Sequence, residues 1–215
     1  MDITYLGHSS FKLKGKSATV VTDPFDPAFV GIKFPTTEAD IVCVSHQHAD
    51  HNYLQGVANA KKVIDAPGEY EVMGVSFLGF PSYHDDKKGE LRGKNTIFVI
   101  EIDGFRIAHL GDLGHVLSDQ LIEEMGSIDI LLIPTGGVYT IDSEVAAKVA
   151  QDIDAPIVVP MHYKSEGLSQ SAFGMLEEVS EFVKAYAMPV ETLDKLSIKK
   201  SDVAEERKIV IFNRK

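Results

Sequence analysis

Apolar positions along this chain repeat with two different periods. In the first half, short runs rich in β-branched and aromatic side chains occupy 3–6, 11–14, 18–22 and 41–44, broken by Gly15, Pro24 and Pro27. Such runs between turn residues predict β-strands. Lys14-Gly15-Lys16-Ser17 reads as a hairpin turn. A short helix is predicted over 53–60, then strands over 70–73, 75–80, 96–102 and 105–110. Asp103-Gly104 joins the last two as a hairpin turn, since Gly takes positive φ without a Cβ clash. In the second half, predicted helices over 118–125, 142–153 and 171–187 alternate with apolar strands over 128–133 and 157–159. Val145, Val149 and Ile153 recur every four residues, and Phe173, Leu176, Val179, Val183 and Tyr186 keep one apolar face on the last helix. Strands over 196–199 and 209–212 follow. Many strands and a few one-faced helices predict an α+β fold in which two mixed sheets pack face to face under outer helices. No low-complexity linker or short-period repeat divides the sequence, so a single domain over 1–215 is expected.

Composition narrows the partners. With 44% hydrophobic and 25% charged residues, 215 residues suffice for a large continuous core. No apolar run approaches the roughly 20 residues that cross a bilayer. Met1-Asp2-Ile3-Thr4 offers no signal-type start, so no membrane span and a cytoplasmic location are expected. The one cysteine, Cys43, sits among Ile41, Val42 and Val44 and reads as a small core residue. A net charge of -11 opposes attraction to a polyanion, which disfavours nucleic acid and favours a small-molecule substrate. Lys87, Lys88, Arg92 and Lys94 form a basic group that reads either as a solvated loop or as a clamp for an anionic ligand. Nothing in the sequence sets an oligomeric state.

The chemistry concentrates in Ser45-His46-Gln47-His48-Ala49-Asp50-His51, directly after the apolar run 41–44. A strand end followed by a loop aims neighbouring side chains at one point, and imidazoles with a carboxylate are the donors that zinc and similar ions prefer. His46-x-His48-x-Asp50-His51 resembles the signature of the metallo-β-lactamase superfamily of hydrolases. Later segments are similar too: His84 in Pro81-Ser82-Tyr83-His84-Asp85, Asp112 in His109-Leu110-Gly111-Asp112, and His162 in Val159-Pro160-Met161-His162-Tyr163. Tyr5-Leu6-Gly7-His8-Ser9-Ser10-Phe11 and Thr22-Asp23-Pro24 look like the branch containing ascorbate-phosphate lactonase and the phospholipase D of N-acyl ethanolamine lipids.

The resemblance implies a four-layer αβ/βα sandwich and two divalent metal ions. It places His46, His48 and His84 on one ion and Asp50, His51 and His162 on the other, with Asp112 bridging. Zinc is the default for nitrogen-rich donors, with manganese or iron as alternatives. A water held between such ions ionises near neutral pH and becomes the nucleophile for an ester, lactone or phosphodiester, with Asp50 and His8 as catalytic candidates.

Other roles stay open. Asp23 reads as an acceptor orienting a ligand histidine or as a turn residue before Pro24. His8 either reaches the substrate side or closes a hydrogen bond at a strand end. His109 reads first as a core histidine, while His115 and Thr135-Gly136-Gly137-Val138-Tyr139 are candidates for a pocket rim. Two competing classes are a non-catalytic metal-binding or sensory module and a di-iron oxidoreductase. The second is disfavoured because its Glu is replaced here by His48.

Overall fold

The computed structural model describes residues 1–203 and 207–214. Its first strands, β1 (Asp2–Gly7), β2 (Ser10–Lys14) and β3 (Thr19–Thr22), form an antiparallel meander that ends in a one-turn helix, α1 (Pro27–Val30). Next come β4 (Thr37–Glu38), β5 (Ile41–Cys43), β6 (Val57–Ala58), β7 (Lys62–Ile64) and β8 (Gly68–Val72). The long hairpin strands β9 (Val75–Tyr83) and β10 (Lys94–Ile102) lead to β11 (Phe105–His109), α2 (Asp119–Met125) and β12 (Ile130–Pro134). The remainder is α3 (Ser143–Ile153), β13 (Ile157–Met161), α4 (Gln170–Phe173), α5 (Val179–Tyr186), β14 (Val190–Leu193), β15 (Leu196–Ser197) and β16 (Lys208–Phe212).

These strands build a six-stranded sheet, β15-β1-β2-β3-β5-β7, and an eight-stranded sheet, β14-β16-β13-β12-β11-β10-β9-β8. The period of two sorts their side chains into layers. Phe11 and Leu13 of β2, Ile41 and Cys43 of β5, Phe98 and Ile100 of β10, and Ile130 and Leu132 of β12 meet in the core between the sheets. The alternate residues Ile97, Val99, Leu131 and Ile133 face outward, where α2, α3 and α5 cover them. On the opposite face, Val21, Val42 and Val44 pack under Phe25, Val30, Leu168 and Phe173. The result is the α+β sandwich of two mixed sheets with outer helices.

Two predicted elements differ. The segment 53–60 makes only a 3-10 turn, Leu54–Gly56, after which β6 pairs in parallel with β4. Gly56 lies flush against the rings of Tyr53 and Phe34, leaving that turn no room for a Cβ. The single helix expected over 171–187 is broken into α4 and α5. Phe173 and Leu176 enter the core over the six-stranded sheet, whereas Phe182 and Tyr186 enter the one over the eight-stranded sheet, and no straight helix serves both. Between them the chain is extended: Lys164 N–H donates to Glu177 O and Glu177 N–H to Gly136 O. The strands β7 and β14 were not predicted; both are short and half exposed.

Candidate metal centre

The parallel strands β5, β11 and β13 all deliver chemistry at their carboxyl ends, the usual place for ligands in such sheets. The loop after β5 carries His46, His48, Asp50 and His51, the step after β11 carries Asp112, and His162 follows β13. His84 follows the end of β9. The backbone is unusual at three supporting points: His8, Asp23 and His162 have φ of 54°, 40° and 53°, a region that non-glycine residues occupy only when their surroundings hold them there. Part of that hold is mutual, since His162 N–H donates to His8 O at 3.0 Å. Gly111, at φ 56°, lets the chain turn into Asp112 where a Cβ would collide with Asn95 Oδ1 and Ser45. Asn95 anchors that turn: its amide donates to Ser82 Oγ (2.7 Å) and Leu110 O (2.9 Å), and its oxygen accepts from Asp112 N (3.0 Å).

All seven donors expected from the sequence are brought together. Asp112 Oδ2 is the hub, with the Nε2 atoms of His84, His51, His162 and His46 at 3.1, 3.2, 3.3 and 3.9 Å. Asp50 Oδ2 lies 3.6 Å from His51 Nε2 and 4.0 Å from His162 Nε2. Three sets of atoms are close enough to share a cation: His46, His48 and His84; His46, His51 and Asp112; and His8, Asp50, His51 and His162. His8, a catalytic candidate from the sequence, joins the last set through its contact with Asp50.

The outward nitrogens decide the tautomers. His51 Nδ1 faces Asp23 Oδ2 at 2.8 Å, and His84 Nδ1 faces Tyr139 O at 3.1 Å. Both partners only accept, so each Nδ1 carries its proton and each ring turns its Nε2 inward. Ser45 Oγ spends its hydrogen on Asp23 Oδ2 (2.6 Å), so His46 Nδ1–H donates to it at 3.0 Å and His46 Nε2 is bare as well. The bare His46 Nε2 accepts from His48 Nδ1–H at 3.1 Å, while His51 Nε2, His162 Nε2 and Asp112 Oδ1 are buried with no hydrogen-bond partner. Buried nitrogens and carboxylate oxygens left without partners are costly unless positive charge sits among them, so the donor set fits divalent cations.

Charge shifts agree. Burial pushes His46 down to about 3, helped by His51, and pushes His8 down to about 4, helped by His162; both rings are neutral. For Asp112, burial works upward, but His162 and His51 outweigh it and hold the carboxyl well below its ordinary range. For His51, burial works downward, and Asp112, Asp50 and Asp23 together hold it well above its ordinary value, so its Nε2 is drawn to hold positive charge, as a proton or as a cation. The carboxylates thus demand positive charge at this point.

A cavity of about 400 Å³ opens onto the cluster, lined by His48, Asp50, His84, Asp112 and His162 with Phe29, Leu91, Arg92, Tyr139, Ala172 and Phe173. His8 is not in that lining; it stands behind Asp50, its Nε2 3.1 Å from Asp50 Oδ2, with its ring against His162 and Phe173. Asp23 is no turn residue of the surface: it is buried and accepts from Ser45 N (2.7 Å), Ser45 Oγ and His51. His109 is a satisfied core histidine, with Nε2–H donating to Ser9 O (2.9 Å) and Nδ1 accepting from Gly111 N (3.1 Å). His115 accepts from Tyr83 N and does not line the cavity, whereas Tyr139 of the glycine loop does. Of the basic group, Arg92 reaches the cavity; Lys87 pairs with Asp86 instead. Ser45 and Asn95 had no sequence signal beyond being small and polar.

A two-sheet sandwich that converges histidines and carboxylates at its strand ends defines the metallo-β-lactamase class of protein. The model of the β-lactamase superfamily domain matches residues 2–162. A relative named UPF0173 metal-dependent hydrolase, from Methanoculleus marisnigri, is 36% identical over 186 residues, covering 76% of this chain and 81% of the relative. A crystal structure from Thermotoga maritima, assigned to the metallo-β-lactamase superfamily, superposes with a TM-score of 0.80 at 38% identity over 100% of this chain and 99% of that one. A metallo hydrolase from Ignicoccus hospitalis shares the fold, with a TM-score of 0.65 at 21% identity over 98% and 94% of the two chains. The chain belongs to the metallo-β-lactamase superfamily, and its relatives are metal-dependent hydrolases.

Proposed function

We propose that this chain is a hydrolase that works with two divalent cations, zinc by its donor set, and cleaves a small ester, lactone or phosphodiester. The observation that carries the reading is the set of inward Nε2 atoms: His46, His51 and His84 have each committed Nδ1 to an outer acceptor and aim Nε2 at Asp112. His46, His48 and His84 would hold one cation and Asp50, His51 and His162 the other, with Asp112 between them. Such cations supply Lewis acidity to the oxygen of the bond under attack and bring the pKa of a water toward neutrality.

The chain's own residues do the rest. Asp50 lines the cavity, so its carboxylate is placed to accept a hydrogen bond from the attacking water and orient it. His8, neutral and donating from Nε2, fixes Asp50 Oδ2; it is a positioning residue. Asp23 and Tyr139 O keep His51 and His84 in the tautomer that leaves Nε2 free. Phe29, Leu91 and Phe173 give the cavity an apolar wall.

The test is metal analysis of protein purified without added metal, followed by turnover on matched esters, lactones and phosphodiesters. About two equivalents of zinc with hydrolysis of one class supports the reading. Iron with a visible absorption band points instead to redox chemistry, and full metal occupancy without turnover on any class points to a binding module; either overturns it.

A further inference from the structure

Two hollows meet at the cluster. The first is the cavity of about 400 Å³ whose apolar lining comes from Phe29, Leu91, Tyr139 and Phe173. The second, of about 460 Å³, shares His48 and Arg92 with it and otherwise draws on Gln47, Asp65, Pro67, Pro81 and Lys94. His48 and Arg92 are therefore the ridge between them.

Arg92 is fixed on that ridge by construction. The Asp85 carboxylate gathers the backbone N–H groups of Lys87 (2.8 Å), Gly89 (2.9 Å), Leu91 (3.0 Å) and Arg92 (2.8 Å), which folds the loop and presents Leu91 and Arg92. Arg92 Nη2 donates to Val138 O at 3.0 Å, and the guanidinium lies 5.7 Å from the Tyr139 ring centroid. Val138 has φ 59°, which β-branched residues rarely adopt, and such strain persists where the surroundings impose it.

What the guanidinium lacks is an anion. Arg106 and Arg207 are paired with Glu101 and Asp154, but among the described residues neither Arg92 nor Lys94 has an ion-pair partner. Both cations line the second hollow, where the opposing carboxylate is the exposed Asp65, 3.4 Å from the Gln47 amide. The first hollow offers aromatic surface; the second offers two unpaired cations with apolar walls.

We propose that the substrate has two arms: an apolar, aromatic-sized arm against Phe29 and Phe173, and an anionic arm, carboxylate or phosphate, held by Arg92 and Lys94. The bond to be cleaved lies between them, over His48. Only that last placement rests on the hydrolase reading; the two subsites stand on the hollows themselves. Arg92 and Lys94 are then the residues that set specificity.

The experiment uses inert ethers on metal-loaded protein, each with a phenyl group at one end and a carboxylate, a phosphonate or a neutral carboxamide at the other. Binding is read by calorimetry. At least one anionic ether should bind about tenfold tighter than the amide, the size expected of a charge-assisted hydrogen bond. The anionic ether that binds tighter identifies the source of the charge. Arg92→Gln and Lys94→Gln should each erase most of that preference, Phe173→Ala should weaken all three ethers alike, and Lys148→Ala, on the solvent face of α3, controls for net charge. Equal affinity of the three ethers for the wild type, or a preference that survives the double variant Arg92→Gln with Lys94→Gln, overturns the proposal. Esters of the same design report separately on hydrolysis, and failure to cleave them strikes the hydrolase reading while leaving the binding result intact.

Discussion

Replacing Asp23 with asparagine tests how far a residue that touches no cavity controls the site. Asp23 Oδ1 accepts from Ser45 N, and Oδ2 accepts from both Ser45 Oγ and His51 Nδ1. In Asp23→Asn the oxygen keeps the backbone N–H, and the new NH₂ confronts two donors. Relief requires His51 to move its proton to Nε2. It also requires Ser45 to turn its hydroxyl hydrogen toward His46 Nδ1, 3.0 Å away, which moves the His46 proton to Nε2 as well. Two of the inward lone pairs are lost through one buried amide. Losing an outer partner of a ligand histidine typically lowers metal affinity by about 10–100-fold, or about 1.4–2.7 kcal/mol; with two histidines affected, the upper part of that range is expected here. The assay is competition with a chromophoric chelator, alongside thermal unfolding of the metal-free protein. Metal-free Asp23→Asn should lose only about 1–3 kcal/mol, the cost of one imperfectly satisfied buried group. Wild-type metal affinity in a folded Asp23→Asn protein would refute the tautomer argument.

Other outcomes follow from the same structure. Asp85→Asn removes a charged acceptor from the four N–H groups that fold the 86–93 loop, so KM should rise several-fold with metal content unchanged, and limited proteolysis should begin to cut that loop; unchanged KM and protease resistance would count against it. Gly111→Ala drives a Cβ into Asn95 and Ser45 at a positive φ, so thermal unfolding should show a loss of about 2 kcal/mol or more, with metal content reduced. Cys43 is buried, and burial first, then Asp23 and Asp65, hold its thiol well above its ordinary value; since only the thiolate reacts, a thiol reagent at pH 8 should label it only after denaturant is added.

Much of this architecture can be read from the sequence, for identifiable reasons. Strands such as β10 and β12 are legible because each puts alternate residues into two different cores, leaving a plain apolar pattern, and β2 because Phe11 and Leu13 alternate with polar residues. The seven donors are legible because their residue types are rare in such spacing. The helix over 171–187 misleads because Phe173, Leu176, Val183 and Tyr186 do keep a helical period, yet they serve cores on opposite sides of the molecule. The 53–60 turn misleads because its short length is settled by the pairing of β6 with β4, a contact remote in sequence. Among the site's supports, Asp23 could be suspected but not assigned, since its role depends on a histidine 28 positions away. Ser45 and Asn95 could not be suspected, because an ordinary polar side chain acquires meaning only from what surrounds it. The basic group also divides in a way charge alone cannot show: Arg92 and Lys94 line a hollow and Lys87 does not.

The hub described above draws its imidazoles from both layers, His46 and His51 from the loop beyond β5, His84 and His162 from beyond β9 and β13. Each of the two donor sets proposed above takes members from both sides. An ion held by either set would tie the two layers together, so its binding would report that they have packed.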